Sequence, residues 1–301
     1  MSSETATATP LSGLEVLERR AAGARAALDE LLDQSSVYHH DVNQGNSGMV
    51  FLGWNKWHWT ALPDVAQPAV GRARQATDRL WEFARAAVST AAPDRADQLD
   101  DTEKLLTNVI EQPNGSFPKG APASSIDTIR QKVAAALDGY LRVLRSLPSA
   151  QGNGEPLLVA DTSALLDKPL LQEWQRDGER STIVALPQVL SELDERKRDP
   201  RTRDAALKVS RQIDDLDRRG DTFAGVPLAG ELRYRDVAVT ADMTTTLPWL
   251  RADVPDDVII AGALELTWQD LTSRVAVVAS DRNVRLKARR AGLSTLRPEE
   301  L

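Results

Sequence analysis

Cysteine is absent from the 301 residues, and histidine occurs only as His39, His40 and His58. The first absence excludes disulfides, thiolate zinc sites and cysteine nucleophiles. The second confines histidine chemistry to the first third of the chain. A metal bound anywhere else must sit on oxygen ligands, which favours hard cations such as Mg²⁺ or Mn²⁺. No stretch approaches the roughly 20 apolar residues of a membrane helix, and MSSETATATP at the start lacks the basic and apolar regions of a signal peptide. A cytoplasmic protein without a membrane partner is expected. Positive charge is not in excess either, since 37 Lys+Arg stand against 44 Asp+Glu for a net charge of −7. That balance speaks against uniform electrostatic attraction to nucleic acid and leaves only local clusters to provide it.

What is present divides the chain in two, as its length suggests. Residues 1–10 are small and polar and read as a disordered start. Leu14, Leu17, Ala21, Ala24 and Leu28 then recur at three- and four-residue steps and predict an amphipathic helix over about 11–32. Similar patterns at about 66–90, 99–111 and 125–147 predict an all-α domain over 11–147. PSAQGNGEP, residues 148–156, reads as a linker. Beyond it LLVAD (157–161), STIVAL (181–186), DTFAGV (221–226), RVAVVAS (274–280) and a short STLRP end are apolar runs of strand length separated by helical segments. Buried parallel strands have this form, so 157–301 is predicted to be an α/β domain.

In open parallel sheets ligands bind outside the carboxyl ends of the strands. Asp161 follows LLVA directly, and Asp281 follows VVAS. Each is equally readable as a helix cap. Glu192 in LPQVLSELDE lies beside the buried stripe of Val189, Leu190 and Leu193, with Asp194 and Glu195 more exposed. Asp256 and Asp257 fall in the first turn of a helix opened by Pro255, where carboxylates also serve as dipole partners. If these acids share one sheet edge they repel, because two unit charges about 4 Å apart interact by about 4 kcal/mol at an effective dielectric of about 20. A divalent cation resolves that repulsion and can activate water against a phosphodiester. Without histidine in 151–301 a serine triad is disfavoured, and Ser163 and Ser280 read as hydrogen-bonding neighbours. A phosphoaspartyl enzyme would need a second Asp where Ser163 stands.

VADTSALLD, LPQVLSELDE, DDVIIAGALEL and VAVVASDRNVRLKARRAGL, in that order, resemble the PIN domain family over about residues 157–298. The resemblance implies a small Rossmann-like sheet flanked by helices and a metal-dependent ribonuclease. It maps the acidic set onto Asp161, Glu192, Asp257 (with Asp256 as second choice) and Asp281, and the supporting polar groups onto Ser163 and Asn283, beside Ser280. It implies that Asp161 and Asp281 hold the principal Mg²⁺ or Mn²⁺. Asp257 would be a ligand directly or through water, and Glu192 would ligate a second metal or orient the attacking water. Cleavage would then leave 5′-phosphate and 3′-hydroxyl ends. SDRNVRLKA resembles larger members of the family, whereas minimal toxin-like members are about the size of this half alone.

Basic residues cluster locally, with nine Lys/Arg against five Asp/Glu from Arg196 to Arg219 and a second group at Arg282, Arg285, Lys287, Arg289 and Arg290. Such runs are often solvated helix faces. As nucleic-acid contacts the candidates are Arg196, Lys197, Arg198, Arg282, Arg285 and Lys287. RNA is the expected partner, with single-stranded or structured DNA, or a non-catalytic PIN scaffold, as the alternatives. In the helical half GWNKWHWT carries Trp54, Trp57 and Trp59 around Lys56 and His58. These rings read as core or interface residues, with base stacking the second reading. His39, His40 and Asp41 are expected in a surface loop. The half as a whole is a candidate site for self-association or a regulatory protein.

Overall fold

A computed structural model of the chain describes residues 10–40, 56–112, 124–147, 155–175 and 178–301. Most of the expected disordered start, Asp41, Trp54 and residues 148–154 of the expected linker lie outside them. The described residues form two compact units, one made of 10–16, 89–91 and 155–301, the other of 17–88 and 92–147. No helix among the described residues is long and apolar enough to cross a membrane.

The periodicities of the first half become α1 (Gly13–Asp33), α2 (Gln67–Ala91), α3 (Asp97–Glu111) and α4 (Ile126–Arg145). Each buries its apolar stripe, as with Leu17, Ala21, Ala24 and Leu28 on α1 and Ile129, Val133, Leu137, Tyr140 and Leu144 on α4. α4 starts at Ser125, whose side chain accepts the Thr128 N–H. An antiparallel ribbon of β1 (Val37–His40) and β2 (Lys56–Trp59) supplements the helices. His39 and His40 are therefore on a strand, where a loop was expected. Across the ribbon Tyr38 stacks on His58 and His39 meets Trp57 edge-on, while Trp59 is buried.

The first residues of α1 belong with the C-terminal unit. Ser12 bridges to Arg274, the Leu11 N–H donates to Ser294 Oγ at 2.9 Å, and the Leu14 N–H donates to the Leu271 carbonyl at 2.9 Å. Gly13 is required by this approach, because a Cβ there would lie 2.7 Å from Thr267 Cγ2.

The C-terminal unit contains a six-stranded sheet in the order β5-β6-β4-β3-β7-β8. Its strands are β3 (Leu157–Ala160), β4 (Ser181–Ala185), β5 (Val226–Ala229), β6 (Leu232–Asp236), β7 (Val275–Val278) and β8 (Ser294–Leu296). All neighbours are parallel except β5 and β6. β4 and β7 are buried at every position, which is why they read as unbroken apolar runs. Around the sheet run α5 (Thr162–Asp167), α6 (Pro187–Arg196), α7 (Arg203–Arg219), α8 (Pro255–Gln269) and α9 (Arg282–Ala291). α8 is buried almost all round, well beyond a single stripe, and Gly262 lets Leu186 approach it.

One expected strand is corrected. Residues 222–224 form a turn in which the Thr222 carbonyl accepts the N–H groups of Gly225 and Asp236, and Phe223 is exposed. Gly225 leaves that turn at φ 90°, and the chain then enters a β5–β6 hairpin that reverses at Gly230, φ 51°. The apolar content of DTFAGV therefore reflects a turn, and the true strand β6 has the alternating pattern of a half-exposed one.

Candidate active site

β3 and β7 are parallel neighbours with Ala160 opposite Val278, so the residues that follow them emerge together at one sheet edge. Asp161 caps α5 and Asp281 caps α9, each accepting the N–H two residues on, from Ser163 at 3.0 Å and from Asn283 at 2.6 Å. The capping and functional readings are thus compatible, because a cap uses one carboxylate oxygen and leaves the other. Asp161 Oδ1 and Asp281 Oδ2 accept no hydrogen bond among the described residues.

Ser163 joins the two acids. Its hydroxyl donates to Asp161 Oδ2 and accepts the backbone N–H groups of Ser280 at 3.1 Å and Asp281 at 3.2 Å. Ser280 in turn donates its hydroxyl to Asp167 Oδ2 at 2.9 Å. Asp167 was not among the expected site residues. It ends the same VADTSALLD segment, and only the β3–β7 pairing brings it to Ser280.

Asp161 is 4% exposed, and burial pushes its carboxyl above the usual aspartate range. The two hydrogen bonds from Ser163 oppose that rise, while the charges of Glu192 and Asp256 add to it. Glu192 lies on α6, half-buried as its place beside the stripe implied, with Oε1 taking the Gln188 amide at 2.9 Å. Asp256 contributes charge to the site, and Asp257 is held differently. Buried in the first turn of α8, Asp257 accepts the Arg251 N–H at 3.1 Å and the Lys287 ammonium at 2.7 Å. Lys287 also lies 3.6 Å from Asp256. Burial opposes its charge, but the hydrogen bond and charge of Asp257, helped by Asp256, outweigh that and raise its pKa.

Lys287 therefore differs from the expected exposed phosphate contact, being paired with site carboxylates. Arg285 is also engaged, donating to the carbonyls of Ala279 and Ser280 at 2.6 Å each. Lys197 pairs with Asp194 at 2.6 Å, whereas Arg196, Arg198 and Arg282 are exposed. Asp236, at the end of β6, is a further acid at this edge, on the far side of β4 and bound by the Tyr234 hydroxyl at 2.6 Å. Its strand was misplaced in the sequence, so no signal pointed to it.

Among the described residues no three acidic or imidazole side chains are drawn together tightly enough to hold a metal as they stand. Asp257 is engaged by Lys287, and Glu192 by Gln188. The donor set nonetheless suits a hard divalent cation. It offers carboxylate oxygens only, with Asp161, Asp281 and Glu192 each keeping one oxygen free of hydrogen bonds among the described residues, around a buried acid whose charge is opposed by its neighbours.

Residues 158–299 match the family model of the PIN domain. The C-terminal half of this chain is a PIN domain, a fold whose members are generally nucleases that use divalent metal ions. No curated protein matches the chain significantly.

Proposed function

We propose that this protein is a metal-dependent endoribonuclease whose reaction centre lies at Asp161 and Asp281. The observation that carries the reading is the Asp161–Ser163–Asp281 connection at the carboxyl ends of β3 and β7, with a buried carboxylate left short of positive charge. Asp161 and Asp281 would hold Mg²⁺ or Mn²⁺, with Asp257 and Glu192 completing the set and Asp256 in reserve. When bound, the ion supplies a Lewis acid and an activated water. Ser163 ties the Asp161 carboxylate to the backbone of the β7–α9 turn, and Asn283 holds the Asp281 carboxylate through its N–H. Glu192, with one oxygen committed to Gln188, keeps the other for orienting a water. Lys287 acts as the resident counter-charge to Asp257 and Asp256. Exposed Arg196, Arg198 and Arg282 contact phosphates, while Arg285 and Lys197 shape the surface around them.

Purified full-length protein incubated with RNA in Mg²⁺ or Mn²⁺ is expected to cut internally, leaving 5′-phosphate ends, and EDTA or Asp161→Asn is expected to stop it. Undiminished cutting by that variant would sink the assignment. Cleavage of DNA with RNA left intact would instead move the substrate class.

A further inference from the structure

α9, β8 and the segment after it enclose a cleft of about 190 Å³ lined by Arg282, Arg285, Arg289, Thr295, Arg297 and Glu300. Arg282, Arg285 and Arg289 recur at three- and four-residue steps and so share one helix face. Thr295 and Arg297 come from the neighbouring strand and the residue that leaves it. Four guanidinium groups thus face one carboxylate. Their existing partners do not neutralise them. Arg282 and Arg289 form no ion pair among the described residues, and Arg297 reaches only Glu299 at 3.5 Å with its side chain 55% exposed. Arg285 spends its Nη1 on the Ala279 and Ser280 carbonyls, which are neutral. Like charges collected in one cavity repel unless an anion sits among them. The lining has no aromatic or aliphatic side chain, and its chemistry is that of cationic hydrogen-bond donors. Guanidinium forks match the oxygens of phosphate.

We propose that this arginine cleft binds a phosphate group of a nucleic-acid strand. Arg282 directly follows Asp281, and Arg285 grips the turn that carries it, so Asp281 adjoins the cleft. A strand lying across Asp161 and Asp281 runs on into it. The identity of the ligand as a strand rests on the proposed nuclease reading, but its binding requires no catalysis. The phosphate is either a terminal one or an internal phosphodiester.

The test is fluorescence anisotropy on the full chain in EDTA, using an unstructured RNA oligonucleotide labelled at its 3′ end and carrying either a 5′-phosphate or a 5′-hydroxyl. Arg289→Gln with Arg297→Gln is compared with wild type and with Arg180→Gln, which removes one charge at the opposite end of β4. The double variant is expected to bind roughly tenfold more weakly at low salt, with the slope of log affinity against log salt reduced by about 0.7, the value for one single-strand phosphate contact. The control should leave the slope unchanged. A loss confined to the 5′-phosphorylated probe assigns a terminal phosphate, and an equal loss with both probes assigns an internal one. Wild-type affinity and slope in the double variant, or a loss no larger than that of Arg180→Gln, overturns the proposal. Arginine-dependent binding by a protein that cuts no RNA would preserve the cleft and remove the nuclease reading, so the two fail separately.

Discussion

Replacing Lys287 by Met removes an ammonium from a buried carboxylate while keeping most of the side-chain volume. Asp257 has a side chain only 6% exposed, against 26% for Lys287, and their contact is 2.7 Å. Truncating one partner of a fully buried pair costs about 3–5 kcal/mol. Two features reduce that figure here: the Arg251 N–H still serves Asp257, and the N-terminus of α8 contributes about 0.5 kcal/mol. A loss of about 2 kcal/mol is therefore expected, or roughly 4–8 °C in the melting of a unit of this size. In an Asp257→Asn background the ammonium faces only the more exposed Asp256 at 3.6 Å, and losing it should cost less than about 0.5 kcal/mol. The double-mutant cycle should thus return a coupling of about 1.5 kcal/mol, read from urea unfolding at neutral pH. On the proposed metal site, saturating Mg²⁺ should also stabilise Lys287→Met more than wild type, because the ammonium no longer competes for Asp257. Equal costs of Lys287→Met in the two backgrounds would refute the pairing argument.

Ser163→Ala removes the acceptor shared by the Ser280 and Asp281 N–H groups and should lower stability by about 1–2 kcal/mol, measured by denaturant titration in EDTA; it should also weaken Mg²⁺ binding by calorimetry. Asp161→Asn should raise the melting temperature of the metal-free protein at pH 7. Ionised Asp161 opposes folding above its raised folded pKa, and that penalty is gone below the ordinary aspartate value of about 4. The advantage of the variant should therefore shrink as pH falls through this window. Asn keeps the cap on α5, so a lower melting temperature at pH 7 would contradict the sign.

The helices of both halves and the buried strands β3, β4 and β7 were legible because each is dominated by one periodicity or one unbroken apolar run. β5 and β6 were not. Pro227 interrupts the first, the second alternates polar and apolar residues, and the nearby TFAG supplies misleading apolar content to what is a turn. The β1–β2 ribbon was hidden for a related reason, since histidines interleaved with aromatics give little strand signal. At the site, Asp161 and Asp281 were legible because an acid directly after a buried strand has few places to go. Asp167 and Asp236 were not, because their relevance depends on which strands are neighbours.

Sequence alone determined the chemical vocabulary of the C-terminal half. With no cysteine or histidine there, carboxylates are the available hard ligands, and the order of the four motif blocks already resembled the PIN family. Tertiary structure decided how charges were allotted. Lys287 and Arg285 look like two more members of a basic helix face until α8 and the β7–α9 turn are placed beside them. One then becomes the partner of Asp257 and the other a clamp on two carbonyls. Arg282, Arg289 and Arg297 are left facing a common cleft. Spacing along a chain fixes which residues share a face, but the partner of a charge depends on what packs against that face, and that is set by strand order.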